Sequence, residues 1–134
     1  MDALKRTNLM LAKILELAMA NGVSHWSLSF DDLSLGDEFQ SHFFPCVEWL
    51  EAEGLIRVGN YSRALGGLAK GSVQNISLSA RGMAVLGQNV EINGASESIS
   101  SAIRKVSAGK VDYHAIGDAI GGVVGGFFKS LGSG

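Results

Sequence analysis

Residues 49–56 read Trp-Leu-Glu-Ala-Glu-Gly-Leu-Ile, and residues 76–82 read Ile-Ser-Leu-Ser-Ala-Arg-Gly. The first stretch ends a helix. Phe43, Val47 and Leu50 recur at intervals of four and three, and Gly54 then caps the C-terminus and turns the chain into a strand over residues 55–59. The second stretch begins a helix: Ser79 caps a segment carrying Met83, Val85 and Leu86, and the missing side chain of Gly82 lets it lie close to a sheet. Between the two, residues 60–72 hold Gly66, Gly67 and Gly71 and show no periodic apolar face, which predicts a long loop. Residues 73–78 are the returning strand, with Gln74, Ile76 and Leu78 on one side. Pro45 is expected either as the first helical residue or as a kink in a longer helix beginning near Asp37.

Upstream, Leu4, Leu11, Ile14, Leu15 and Ala18 share one helical face, and Asn21-Gly22 is the stop. Lys5-Arg6 and Ala18-Met19-Ala20 have the form of an export signal, but Lys13 and Glu16 interrupt the apolar core that such a signal needs. An amphipathic helix in a cytoplasmic protein is the expectation. Residues 23–30 read as a short strand, and Asp31-Asp32 begins a turn of helix through Leu33 and Leu35 that Gly36 ends.

The order is thus helix, strand, helix, helix, strand, glycine-containing loop, strand, helix. With the two quoted stretches, it resembles the winged helix-turn-helix superfamily over residues 4–88. The fold class that follows is α+β, a small antiparallel sheet with additional C-terminal helices beyond the winged-helix unit. The resemblance implies DNA binding, with the helix before the hairpin in the major groove and basic residues of the wing on the phosphate backbone. The residues that match these roles are Arg57, Tyr61, Arg63 and Lys70 on or beside the hairpin, Arg81 at the start of the next helix, and Gln40, Ser41 and His42 at the start of the groove helix. Further along, that helix is expected to turn Ser41, Phe44, Glu48, Glu51 and Ala52 outward, and two carboxylates facing phosphates are unfavourable. A competing reading is a protein-interaction adaptor that uses this acidic face and the C-terminal helix.

Composition sets the outer limits. The chain has 134 residues, 46% of them hydrophobic and 18% charged, enough for a core of its own and too apolar for disorder throughout. One cysteine excludes an internal disulfide framework. The net charge of −2 is unevenly spread: residues 1–56 hold three basic and nine acidic residues, residues 57–110 seven basic and two acidic, so an anionic partner is expected at the middle of the chain. His42 and Cys46 have the spacing of two ligands on a helix, but Pro45 lies between them and no further ligand pair follows, so no metal is expected. Asp31-Asp32 and Asp37-Glu38 adjoin helix starts, where carboxylates complement the dipole, and the glycines of the loop lack the phosphate-loop spacing. Neither an enzyme nor a cofactor is indicated.

Residues 89–110 read as a linker and short helix: 89–101 is polar and serine-rich around an Asn93-Gly94 turn, and Ile99, Ile103 and Val106 form a stripe. From 111 to 134, Tyr113, Ile116, Ile120, Val123 and Phe127 follow a heptad-like step, with Gly117, Gly121 and Gly125 every four residues beside it. This stretch resembles a glycine zipper, in which small residues let helices approach closely. It is expected to pack helices or to join two copies into a homodimer. The alternatives are a flexible tail and attachment to a membrane surface; the ten uncharged residues 119–128 would span about 15 Å as a helix, half of a hydrocarbon core.

Overall fold

Helix α1 (Ala3–Asn21) starts at Asp2, whose carboxylate accepts the Lys5 N–H at 2.8 Å. It buries Leu11, Ile14, Leu15 and Ala18 of the predicted stripe and also Met10, while Leu4 stays exposed in the first turn. The computed structural model describes residues 2–92 and 94–107, and over these the chain is a mixture of helices and small antiparallel sheets. The zipper segment with Tyr113, Ile116, Gly117, Ile120, Gly121, Val123, Gly125 and Phe127 lies outside the described residues. No helix among the described residues is long and apolar enough to cross a membrane.

Strand β1 (Trp26–Leu28) is shorter than the expected 23–30. Local capping ends it: the Asp32 carboxylate accepts the Ser29 N–H at 2.8 Å, which starts a 3-10 turn at Phe30–Leu33 and takes Phe30 out of the strand. A second 3-10 turn, Asp37–His42, runs into helix α2 (Phe43–Ala52). Pro45 is therefore neither the first helical residue nor a kink. It is the third residue of α2, where the backbone N–H would lack a helical partner in any case, so its ring fits at little cost.

The end of α2 follows the predicted cap. Gly54 takes φ +79° and donates to the Glu51 carbonyl at 2.9 Å, and Leu55 N–H reaches back to the Leu50 carbonyl at 3.0 Å. These are the two bonds of a Schellman motif, and Leu50 and Leu55 are both buried at its base.

The expected loop at 60–72 is strand at both ends. After β2 (Ile56–Arg57), Asn60–Arg63 form β3 and Gly71–Leu78 form β4, leaving only residues 64–70 as loop. Strand β4 is central, with β1 antiparallel along one edge and β2 and then β3 antiparallel along the other. The predicted parity of β4 fails at Asn75, which takes φ +55°. Gly59 N–H is shared between the carbonyls of Gln74 and Asn75, and across the other edge Trp26 and Leu28 face Ile76 and Val73, two steps against three. This bulge turns Val73 rather than Gln74 to the same buried side as Ile76.

Ser79 caps helix α3 (Ala80–Leu86) by accepting the Gly82 N–H at 2.9 Å, while its hydroxyl donates to the Gly54 carbonyl. Gly82 is seated against the Leu55 backbone, where a Cβ would overlap the carbonyl oxygen. The close approach expected from this glycine is present. The segment read as a linker contains a hairpin, β5 (Asn89–Ile92) and β6 (Ala95–Ser98), leading directly into helix α4 (Ile99–Ser107). Ile99, Ala102 and Ile103 of α4 are buried in the same core as α1, Phe43, Val47 and Ile76. Burial of each such large side chain stabilises the fold by about 1.5–3 kcal/mol.

Candidate functional site

The residues singled out in the sequence gather around the β3–β4 hairpin in three groups. The first joins β3 to α2. Strand alternation places Tyr61 and Arg63 on one face, and pairing of β3 with β4 carries that face over α2. The Tyr61 hydroxyl donates to Glu51 Oε1 at 2.8 Å, and the Arg63 guanidinium pairs with Glu48. Arg63 also lies over the Phe44 ring, 4.7 Å from its centroid, and 5.7 Å from that of Tyr61. Phe44 is consequently buried, against the expectation that it faces outward, with its ring edge-on to Phe43 at 4.9 Å. Burial raises the Tyr61 phenol far above its ordinary range, and the hydrogen bond to Glu51 and the charge beside it raise it further. The two carboxylates of α2 are thus engaged by side chains of the hairpin strand, with Glu48 still about half exposed.

In the second group Arg57, from β2, and Arg81, from the first turn of α3, line one shallow cleft with Glu51, Gly54 and Ser79. The Schellman turn and the Ser79 cap bring these arginines together although they are far apart in sequence. A third group forms where the 64–70 loop faces the 3-10 turns. Gln40 and Lys70 line a cleft there with Asp31, Ser29, Gly66 and Gly67. Gln40 Nε2 also reaches Asp37 at 3.4 Å, and Ser41 Oγ and His42 Nδ1 lie 3.2 Å apart on the exposed side of the second turn.

The eight residues predicted to contact DNA are therefore distributed over three surfaces, and several already engage side chains of this chain. Among the described residues Arg57 and Lys70 carry no side-chain hydrogen bond or ion pair. Two phosphate contacts give a log–log salt slope of about −1.8, half of that expected for four.

Cys46 does not join His42 in a polar site. It is buried in α2, and burial pushes its thiol up to about 12. Among the described residues no group of three or more His, Cys, Asp and Glu side chains is placed to hold a metal ion.

The sequence reading missed the tip of the hairpin. Leu65 is fully exposed and Leu68 is 69% exposed, on a loop whose other members are small or polar. Two leucines that bracket Gly66-Gly67 in a segment with no apolar periodicity are the signal for it, since neither a helix nor a strand face there would bury them. No family model, curated protein or solved structure matches this chain.

Proposed function

We propose that this chain is a winged-helix module without catalytic activity that docks a protein partner through the tip of its β3–β4 hairpin. In this reading α1, the 3-10 turns and α2 are the helical part, the 64–70 loop is the wing, and α3 closes the unit. The observation that carries it is the pairing of Glu48 and Glu51 with Arg63 and Tyr61. A reader of DNA presents its groove helix to phosphates, whereas α2 presents carboxylates that already engage Arg63 and Tyr61 of the hairpin. The pair on Arg63 is half exposed and cheap to break, but breaking it leaves Glu48 where a phosphate would lie. Leu65 and Leu68 supply apolar area of the kind that protein interfaces bury at their centre.

A second reading, contact with nucleic-acid phosphates, is favoured by the two arginines of the β2–α3 cleft. One pair of measurements separates the two. With a photo-crosslinking residue at Leu65, the full chain in cells is expected to form a discrete protein adduct that Leu68→Asp abolishes. Duplex DNA titrated at about 50 mM salt is expected to leave the anisotropy flat. DNA binding that weakens on Arg57→Ala and Lys70→Ala, with no protein adduct, overturns the proposal.

A further inference from the structure

We infer that the cleft between the 64–70 loop and the two 3-10 turns binds a small zwitterion of the amino-acid class, with its ammonium at Asp31 and its carboxylate at Lys70. The inference stands apart from the docking function of the hairpin tip and does not rest on it.

The cleft measures about 380 Å³, within the range of small-ligand sites. Its lining residues include one acid, Asp31, and one base, Lys70, together with Gln40. The two opposite charges do not pair with each other. Both are exposed, and among the described residues neither side chain has a hydrogen-bond or ion-pair partner. Two unlike charges on the walls of one cleft match a ligand that carries both, and a ligand of one sign would gain at one wall and be repelled at the other.

The walls are fixed from behind. Phe30, next to Asp31, is buried with its ring edge-on to Phe43 at 6.0 Å, and Asp32, on its other side, holds the Ser29 N–H. Gln40 follows buried Phe39. On the opposite wall, the Lys70 stem lies against Gly67, where an added Cβ would come within 2.8 Å of its Cγ, and Lys70 N–H donates to the Gly67 carbonyl at 3.4 Å. Gly67 is thus a positioning residue for Lys70. Anchored main chain with charged groups at the opening is the arrangement that binds a polar ligand without a large ordering cost.

The test uses the full chain, labelled with ¹⁵N, and a panel of probes: the common L-amino acids, di- and tripeptides, and acetate and methylammonium as single-charge controls. At least one zwitterion is expected to shift the amide resonances of Gly66, Gly67, Gly71 and Gln40 saturably. Single amino acids and peptides are separated by the charge spacing that binds best. Lys70→Met and Asp31→Asn are each expected to weaken that binding by about tenfold or more, as loss of one charged hydrogen-bond partner does. Gly67→Ala, which retains both charges, is expected to weaken it as well by displacing Lys70. Amide shifts away from the cleft report that each variant is folded. The inference is overturned if no zwitterion moves these resonances, if the substitutions leave affinity unchanged, or if acetate alone binds as tightly as the best zwitterion.

Discussion

The Tyr61 hydroxyl donates to Glu51 Oε1 at 2.8 Å, a bond that ties a hairpin strand to the helix it would flank in a DNA reader. It predicts an unusual titration. The folded-state phenol is raised above its unfolded value of about 10, so this contribution to stability is intact below that pH and is lost as pH climbs through the folded value. In a Tyr113→Phe chain, where Tyr61 is the remaining tyrosine, the 295 nm absorbance of tyrosinate is expected to stay flat past pH 11 and to rise together with unfolding. Glu51→Gln removes the charge and is expected to bring the transition down. An unshifted phenol with a titration near pH 10 in the folded chain contradicts the assignment.

Neutralising the acidic face gives a second prediction. If carboxylates are what keep α2 from phosphates, the Glu48→Gln, Glu51→Gln double variant is expected to bind duplex DNA at about 50 mM salt where the parent chain does not. Releasing Arg63 adds a third cation to Arg57 and Lys70, which among the described residues carry no carboxylate partner, and with these three on phosphates the log–log salt slope is expected near −2.7. Failure of the double variant to gain any affinity shows that charge on α2 is not the determinant.

What the sequence makes legible is what local chemistry dictates. The Gly54 stop, the Ser79 cap and the close seat of Gly82 depend on a few neighbouring residues, and each is where the periodicity and the caps predict. Strand β3 and the bulge at Asn75 are decided by pairing across the sheet, for which Asn60-Tyr61-Ser62-Arg63 offers only weak alternation. The 89–98 hairpin is half legible: Val90 and Ile92 alternate with Asn89 and Glu91 up to the Asn93-Gly94 turn in the sequence, but the returning strand, Ala-Ser-Glu-Ser, is short and polar. At the site, the two carboxylates of α2 are readable as an acidic face. Their partners are not, because Tyr61 and Arg63 reach them only after the hairpin folds back over α2. That same fold-back buries Phe44, which helical spacing alone directs to solvent.

Two glycines mark backbone approaches that tolerate no side chain. Gly82→Ala forces a methyl into the Leu55 carbonyl, and Gly71→Ala forces one into the Ser62 carbonyl at a residue that also holds φ +117°. Each is expected to cost about 1–3 kcal/mol from overpacking, with Gly71→Ala the larger because backbone strain adds to it. Urea unfolding measures both. Alanine tolerated without loss at either position means that the strand or helix is not seated as described.

Cys46 is expected to be inert while the chain is folded. With its thiol pushed up to about 12, roughly one molecule in ten thousand carries the reactive thiolate at pH 8. Reaction with Ellman's reagent is expected to proceed at the rate of unfolding and to accelerate in urea. Prompt reaction of the native chain contradicts the burial of α2 on this side.

Asn8 offers a stabilising substitution. It sits at 6% exposure on the buried side of α1, and its side-chain Nδ2 is fully enclosed with no hydrogen-bond partner among the described residues. A buried donor left unpaired costs about 1–3 kcal/mol, and leucine has a similar length with no polar atom to desolvate. Asn8→Leu is expected to raise the urea midpoint with an unchanged m value, the signature of added stability without a change in the surface exposed on unfolding. Asn8→Asp is expected to act in the opposite direction, because a carboxylate at that position must either remain charged without a partner or bind a proton. Equal destabilisation by both substitutions shows instead that the amide has a partner whose loss outweighs the desolvation relieved.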